Sequence, residues 1–278
     1  MSRQFIAFPD FKLKALTFSY DDGVVQDMRL VDIFNRNGLK ATFNINSSRF
    51  VSGERNPRFL TEKQAKELYI PNGHEIAVHG YMHRSLTNVE KSVMYGDIVI
   101  DRFNLERIFG GIINGMAYAN GAYNHDISAK LKDMGITYAR TCVSTNRFDL
   151  PSNWLELSAT CHHSNPELMS LAKAFVDNTP WLSKDSSALF YVWGHSYEFD
   201  NNDNWNVIEQ FAEYIGNKED IWYATNGEIC RYIKAYDDLV FSVDGNTVYN
   251  PSAIDVYLKC YYNNYVVPAG KTINIDLR

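Results

Sequence analysis

Three absences narrow the kinds of protein that this sequence encodes. No stretch approaches the 18 consecutive apolar residues of a membrane-spanning helix, and the opening residues lack the apolar core of a secretory signal. The 27 Lys and Arg face 33 Asp and Glu, a net charge of −6 with no basic block, which argues against nucleic acid or an anionic membrane as a partner. We therefore expect a cytoplasmic protein, although a signal that had been removed would leave the same pattern.

Cysteine is also scarce. The four cysteines, Cys142, Cys161, Cys230 and Cys260, are far apart and form no C-x-x-C pair. This spacing argues against a structural zinc knuckle and against a disulfide scaffold. We expect four reduced thiols, most of them buried.

The composition that is present is globular, with 45% hydrophobic, 22% charged and 14% aromatic residues in a chain of 278. Between Lys14 and Tyr236, short β-branched or aromatic runs alternate with longer segments of helical period, which predicts β-α units around a parallel sheet. The predicted strands are Ala15–Ser19, Ala41–Ile45, Glu75–Val78, Ile112–Ala117, Ile136–Arg140, Leu155–Thr160, Ala188–Trp193 and Ile221–Ala224. Eight such runs predict an α/β fold with a (β/α) barrel.

The pattern changes after the predicted barrel. The run LVFSVDGNTVYN predicts a hairpin that turns at Asp244, Gly245 and Asn246, and two more strand-like runs follow up to Leu277. We expect residues 1–236 to form the barrel and residues 237–278 a small β extension packed on it. Its alternating apolar positions are Leu239, Phe241, Val243, Ile254, Val256 and Leu258. A less favoured role is sugar binding through Tyr249, Tyr257, Tyr261 or Tyr262.

Polar side chains collect where several predicted strands end. FSYDDG ends the first strand, HGYMH follows the third, AYANG follows the fourth and WGHSYEFD follows the seventh. The carboxyl ends of parallel barrel strands form one mouth, where working residues lie. Two adjacent carboxylates, Asp21 and Asp22, are therefore expected to meet three histidines, His79, His83 and His195.

His79 and His83 are four residues apart, so both imidazoles can reach one ion if the segment makes a helical turn. By itself an H-x-x-x-H pair is more often incidental. With an Asp from the first strand it supplies the open three-ligand set that catalytic zinc uses. We therefore expect one divalent metal ion, zinc, with cobalt, nickel or iron as alternatives.

Asp21 and Asp22 are neighbours, so their side chains do not share one direction, and one can bind metal while the other faces the water. The alternative is an N-terminal helix cap plus a turn aspartate before Gly23. Their place at the end of a hydrophobic strand favours the chemical role.

FSYDDG, GHEIAVHGYMH and FYVWGH resemble, in order and spacing, the motifs of the polysaccharide deacetylase family (NodB homology, carbohydrate esterase family 4), over roughly Lys14 to Tyr236. The resemblance implies a distorted (β/α) barrel that binds one divalent metal and removes N- or O-linked acetyl groups from sugars. The implied partner is an acetylated carbohydrate substrate.

Residue by residue, the resemblance implies that Asp21 is the general base and His195 the general acid. It also implies that His74 is structural and that the metal ligands are Asp22, His79 and His83. The chemistry is consistent with this assignment, because a zinc-type metal lowers the pKa of bound water towards about 7 and a histidine is suited to protonate the leaving group.

The sequence departs from the family pattern in two places. The family's third motif usually carries an arginine that orients the base, and Ala117 stands there instead; Arg140 is the candidate replacement, and a solvated surface arginine is the alternative. The usual acidic partner of the acid histidine is also missing, which leaves Glu198 or Asp200 as substitutes. The oxyanion N–H that the family draws from its motif-three tyrosine would here belong to Asn120.

His162 and His163 follow the sixth strand, where they either contact substrate or belong to a helix-capping loop with Asn165 as the N-cap. Aromatic residues beside the motifs are candidates for stacking on sugar rings, although most aromatics of such a chain belong to the core. These residues are Tyr20, Tyr81, Tyr118, Tyr123, Trp193 and Tyr197.

Three functions remain open from the sequence. The first is a metal-dependent deacetylase of an acetylated sugar or oligosaccharide. The second is a hydrolase of the same scaffold that acts on a non-sugar amide or cyclic ureide, and the altered third motif gives it weight. The third is a catalytically silent sugar-binding module. The presence of Asp21 and His195 together argues against the third, because such a module needs neither base nor acid.

Overall fold

A parallel sheet wound with helices forms the centre of the computed structural model, which describes residues 3, 5–53, 56–177, 187–260 and 263–276. The strands up to residue 236 are β1 (Ile6–Ala7), β2 (Lys14–Asp21), β3 (Ala41–Ile45), β4 (Glu75–Val78), β5 (Gly115–Ala117), β6 (Tyr138–Ser144), β7 (Leu157–Ala159), β8 (Cys161–His162), β9 (Ala188–Gly194) and β10 (Ile221–Tyr223). The helices are α1 (Asp27–Arg36), α2 (Ser48–Gly53), α3 (Glu62–Leu68), α4 (Lys91–Phe109), α5 (His125–Lys130), α6 (Leu168–Asp177), α7 (Tyr197–Asn201), α8 (Trp205–Ile215) and α9 (Asn226–Asp237).

The sheet closes on itself. Neighbouring strands pair in the order β7, β6, β5, β4, β3, β2, β9, β8, and all these pairs are parallel. The two end strands, β7 and β8, are separated in the chain by Thr160 alone, whose N–H donates to Tyr191 O of β9 at 2.8 Å. The ends therefore meet in one stretch of chain, and the predicted distorted (β/α) barrel is confirmed.

The eighth predicted strand does not complete the ring. β9 pairs directly with β2 over seven residue pairs, so β10 has no place between them. Instead β10 pairs with the first residues of β2, from Lys14 to Leu16, on the edge that β3 occupies further along. A second difference lies at Ile112, where a strand was predicted; Gly110 and Gly111 have positive φ, Ile112 is exposed, and β5 begins only at Gly115.

The two central strands, β2 and β9, are buried on both faces. All eight residues of β2 and all seven of β9 are buried, with Phe18 and Phe190 among the fully buried side chains. Helix ends carry the expected signals, such as the capping box of Thr61 with Gln64. Within the described ranges, no helix has both the length and the apolar character required to cross a membrane.

The residues after α9 form two small sheets. β11 (Val240–Phe241), β12 (Thr247–Tyr249) and β15 (Thr272–Asn274) make one. In the other, β13 (Val256–Lys259) lies between β1 and β14 (Asn264–Val267) and pairs with both. Val248, Val256, Leu258 and Val267 are buried in one cluster with Ile6, Tyr232 and Tyr236. The division into two domains at residue 236 stays a prediction, and Tyr261, Tyr262 and Leu277 lie outside the described residues.

Two apolar positions of this segment were predicted wrongly as core. Val243 is fully exposed because it lies in the hairpin turn, where Ser242 and Asp244 hydrogen-bond to each other and Gly245 has a φ of 74°. Ile254 is also exposed. The four cysteines are free thiols; Cys161, Cys230 and Cys260 are buried and Cys142 is exposed.

Candidate active site

The two adjacent aspartates diverge at the end of β2. Asp21 is the last strand residue, and its register partner on β3 is Asn44. Asp22 and Gly23 then adopt positive φ values of 83° and 65°, which turn the chain sharply. Asp21 is buried within the barrel mouth, whereas Asp22 faces His83, with Asp22 Oδ1 3.5 Å from His83 Nε2.

His79 and His83 come together across a tight turn after β4. Gly80 has a φ of 79°, and a Cβ there would lie 2.6 Å from Asp97 Oδ2, so glycine is required. The two imidazole centroids are 4.8 Å apart. His79 Nδ1–H donates to Ala117 O at 2.9 Å, which leaves Nε2 free to act as a ligand.

Asp22, His79 and His83 form a group that fits a divalent metal ion. Their ligand atoms all lie within 4.8 Å of one another. Asp22 Oδ1 is buried and has no hydrogen-bond partner, an expensive state for a carboxylate oxygen that a cation would relieve. Two imidazole nitrogens and one carboxylate oxygen are a donor set suited to zinc. Burial lowers the pKa of His83, and His79 and Arg49 lower it further against the charge of Asp22, so His83 is held in the neutral form that a metal needs.

Asp21 is fixed and ionised by its neighbours. Arg140 Nη2 donates to Asp21 Oδ2, and Asn44 Nδ2 donates to Asp21 Oδ1 at 2.8 Å. Burial alone would raise the pKa of Asp21, but Arg140, then His79 and His195, and the Asn44 hydrogen bond lower it to about 2. Arg140 itself is fully buried, with its guanidinium 4.5 Å from the Trp193 ring centroid.

His195 follows β9 and faces Asp21, with 3.8 Å between His195 Nε2 and Asp21 Oδ2. Its other nitrogen, Nδ1, hydrogen-bonds to Glu198 Oε1 at 3.2 Å, which directs Nε2 towards the mouth. Burial would lower the pKa of His195, but the Glu198 hydrogen bond and the charges of Asp21 and Glu198 outweigh it, so the pKa is raised. Asp200 is engaged elsewhere, with Trp205 and Gln26.

Glu198 holds a cluster of three histidines. Its Oε2 lies 2.9 Å from His163 Nε2 and 3.2 Å from His162 Nε2. Burial would raise the pKa of Glu198, but the three histidines that surround it, His162, His163 and His195, hold it well below its usual range. Sequence reasoning offered Glu198 only as one of two partners for His195 and did not connect it with the other two histidines.

Residues 9–139 match the family model described as polysaccharide deacetylase. The match shows that this segment is similar to polysaccharide deacetylases. No curated protein matches the chain. Solved structures share the fold: a candidate polysaccharide deacetylase from Mycobacterium smegmatis has a TM-score of 0.61 at 16% identity and covers 84% of this chain and 94% of its own.

Two further structures show the same fold. The allantoinase PuuE has a TM-score of 0.59 at 12% identity, with 81% of this chain and 91% of that chain covered. A carbohydrate esterase family 4 pseudoenzyme from Bacillus anthracis has a TM-score of 0.50 at 13% identity, with 81% of this chain and 68% of that chain covered. At such identities the likeness concerns the fold alone.

An arginine of the next strand, Arg140, makes the contact with Asp21 that the resemblance implies for an arginine at position 117. Ala117 on β5 and Arg140 on β6 are register partners in adjacent parallel strands. Side chains at paired positions of parallel strands leave the same face of the sheet at the same level. The Arg140 guanidinium thus reaches Asp21 from the strand next to the one that carries Ala117.

Asn120 lies beside the metal-ligand group in a left-handed conformation, with a φ of 57°. Its side-chain amide donates to Ser85 Oγ at 3.1 Å and His83 O at 3.4 Å. This places the Asn120 backbone at the mouth, and its use as an oxyanion donor stays a prediction.

Several residues considered for substrate contact are buried. Tyr118 is 1% exposed and its hydroxyl donates to Leu155 O, so its ring does not stack on a sugar. His163 is 2% exposed because its ring is packed between Tyr20 and Phe199. The rings of His163, Tyr20 and Phe199, and that of Trp193 over Arg140, support the site from beneath. His162 is instead partly exposed at the mouth. Tyr81, Tyr123 and Tyr197 are partly exposed.

Sequence reasoning missed two carboxylates on α4 that hold the histidine turn. Asp101 accepts from the N–H of Ser47 at 2.6 Å and of His79 at 3.1 Å, and Asp97 accepts from Met82 N–H at 2.8 Å. Burial raises the pKa of Asp101 to about 7 against those hydrogen bonds. The signal was present: two acids four residues apart on the buried face of an apolar helix need partners.

Proposed function

We propose that this protein is a divalent-metal-dependent hydrolase that removes an acetyl group from a sugar, oligosaccharide or polysaccharide. The observation that carries the proposal is the pairing of an ionised carboxylate, Asp21, with a histidine of raised pKa, His195, beside the Asp22, His79 and His83 group. Base, acid and candidate metal ligands thus converge in one mouth. The family match of residues 9–139 supports acetyl transfer to water as the reaction.

Asp21 is suited to be the general base. Its carboxylate stays ionised over the whole physiological range, because its pKa is about 2. As a water oxygen attacks the acetyl carbonyl carbon, Asp21 takes the proton that the water loses. Arg140 and Asn44 fix the carboxylate, so little reorganisation accompanies the transfer.

His195 is suited to be the general acid. When the carbon–nitrogen or carbon–oxygen bond to the sugar breaks, the departing amine or alkoxide needs a proton, and protonated His195 Nε2 supplies it. Glu198 stabilises the protonated ring through Nδ1. The raised pKa of His195 keeps more of it protonated near neutral pH.

Asp22, His79 and His83 would hold the metal ion, which we infer to be zinc from the donor set. When bound, such an ion acts as a Lewis acid on the acetyl carbonyl and makes water more acidic. Ala117 O and Asp101 orient His79, through its ring and its backbone N–H, so that Nε2 faces this group.

Acetate release tests the proposal. The zinc-loaded protein is incubated with N-acetylated chito-oligosaccharides and with O-acetylated xylan, and acetate is measured. We expect release from at least one class, with Asp21→Asn and His195→Ala reducing kcat by roughly 10²–10⁴-fold while metal content stays normal. The exposed Asp32→Asn is the matched control for Asp21→Asn and should keep full turnover.

Metal analysis and substrate range separate the other functions. His79→Ala should lose the metal, and full occupancy in that variant would exclude His79 as a ligand. Hydrolysis of cyclic ureides without acetate release would favour the second function, for which the replaced third-motif arginine and the fold shared with an allantoinase are the supporting observations. Metal binding without turnover of either class would identify a silent module.

A further inference from the structure

Two arginines at the mouth of the candidate active site have no carboxylate partner among the described residues. Arg49 and Arg58 both lie on the Phe59 ring, with guanidinium carbons 4.5 and 5.7 Å from its centroid. Most other described arginines are paired with carboxylates; examples are Arg29, Arg36, Arg102, Arg140 and Arg147. We call Arg49 and Arg58 the arginine pair.

Backbone contacts fix the arginine pair beside the reacting groups. Arg58 O accepts from Val25 N–H and Gly23 O accepts from Leu60 N–H, both at 3.0 Å, so the segment that carries Arg58 runs alongside the chain that follows Asp22. The Arg58 guanidinium also lies 5.1 Å from the Tyr197 ring, and that ring is 5.1 Å from the His195 ring. Arg58 therefore spans the space between the Asp22 turn and His195.

The carboxylates of the site do not neutralise the arginine pair. Asp21 is paired with Arg140, Glu198 is shared by three histidines, and Asp22 faces His83 in the metal-ligand group. Two guanidiniums held on one ring repel each other, and an anion between or beside them relieves that repulsion. The positive charge is local, because the whole chain carries a net charge of −6.

We propose that the arginine pair selects an acetylated sugar that also carries a carboxylate. Guanidinium groups bind carboxylates through paired, charge-assisted hydrogen bonds, and aromatic rings beneath them limit their freedom before binding. This inference rests on the proposed function, since it names the class of sugar that the same site accepts. A neutral acetylated sugar fits the same reacting groups but leaves the arginine pair without a partner.

The test compares acidic sugars with their own methyl esters, which keep the shape and remove the charge. N-acetylglucosaminuronic acid and N-acetylmuramic acid carry the carboxylate at two different places on the ring. With zinc-loaded protein, we expect at least one acid to exceed its ester in kcat/KM by roughly 5–10-fold, mainly through KM. The effect is modest because Arg58 is exposed and Arg49 is partly exposed. The ratio should shrink as NaCl rises from 0.05 to 0.5 M.

Variants assign the preference to the arginine pair. Arg49→Gln and Arg58→Gln should each bring the acid-to-ester ratio towards 1. Arg36→Gln is the matched control and should keep the ratio, because Arg36 is an exposed arginine at the C-terminal end of α1. Equal kcat/KM for acids and esters, with acetate released from both, overturns this inference and leaves the proposed function intact.

A binding measurement tests the arginine pair independently of the proposed deacetylation. Calorimetry with the zinc-loaded Asp21→Asn variant compares affinity for each acid and its ester without turnover. Tighter binding of an acid, lost in Arg58→Gln, supports the arginine pair even if the active protein releases no acetate, in which case only the proposed reaction fails. Equal affinity for every acid and its ester overturns the inference.

Discussion

At the scale of single residues, the contact between Arg140 and Asp21 governs the state of the base. Both side chains are buried, so the carboxylate depends on this guanidinium for its charge. The depressed pKa of Asp21 means that the base is ionised above about pH 2 and is lost only as pH falls through that value. Removal of the guanidinium should raise the pKa of Asp21, so the carboxylate would become protonated at a higher pH.

We predict that Arg140→Met moves the acidic limb of the pH–kcat/KM profile upward by about 1–3 pH units. Turnover at neutral pH should fall as well, because the carboxylate loses its orientation. Arg147→Met, at an exposed arginine, is the control and should leave the limb in place. An unshifted limb in a folded Arg140→Met protein would show that Asp21 does not need this partner.

Glu198 governs the acid in the opposite sense. It raises the pKa of His195, so His195 stays protonated to a higher pH than an ordinary histidine and loses its proton as pH rises through the raised value. We predict that Glu198→Gln shifts the alkaline limb of the kcat/KM profile to lower pH and reduces kcat by roughly tenfold. Glu209→Gln, which breaks only an exposed ion pair with Arg29, should shift nothing. A limb that stays fixed would exclude His195 as the group that titrates there.

At the scale of secondary-structure elements, α4 acts as the support of the histidine turn. Asp101 uses both carboxylate oxygens to accept backbone N–H groups, one of them from His79. Asparagine has one acceptor oxygen, so Asp101→Asn leaves one of these N–H groups facing an amide NH₂.

We predict that Asp101→Asn weakens metal affinity by about 10–100-fold without removing a ligand. Competition with a chelator, read by metal analysis, measures the change. Asp133→Asn, at an exposed residue of a short helix, is the matched control. Unchanged affinity in Asp101→Asn would mean that α4 does not position His79.

Some secondary-structure elements and contacts could be predicted from the sequence, and others could not. Strands Ala41–Ile45 and Glu75–Val78 were predicted with their observed bounds, because period and flanking polar residues are local signals. The chemical residues lie where these strands end, which is also local information. Other features depend on packing between residues that are far apart in the sequence, and the spacing of residues along one sequence does not reveal such contacts. Examples are the Asp101 contact with His79, the pairing of β1 with β13 and the burial of Tyr118.

At the scale of the whole molecule, the last residues and the first strand share one cluster. Tyr232 of α9 donates to Ala7 O and accepts from Tyr257 N–H, so N-terminal, helical and C-terminal segments meet at one hydroxyl. Leu258 is fully buried in this cluster, whereas Val243 is fully exposed in the hairpin turn.

We predict that Leu258→Ala destabilises the protein by about 2–5 kcal/mol and that Val243→Ala changes stability by less than about 0.5 kcal/mol. Thermal unfolding of the zinc-loaded proteins measures both.

Truncation after Tyr236 should abolish soluble, stable protein, since it uncovers this cluster. A stable truncate with normal turnover but weaker polysaccharide binding would instead assign the segment to sugar binding.

The register between Ala117 and Arg140 has a consequence for how such barrels are compared. Residues at one level of a parallel barrel form a ring around the mouth, and a side chain can change its place on that ring without leaving the reacting atoms. Reciprocal exchange tests this: Ala117→Arg with Arg140→Ala should recover turnover that Arg140→Ala alone loses. The arginine is missing at its expected place in the sequence but is present at the same level of the barrel, on the neighbouring strand. Catalytically active and inactive barrels are therefore best distinguished by comparing the side chains at one level of the barrel, not by comparing sequence motifs alone.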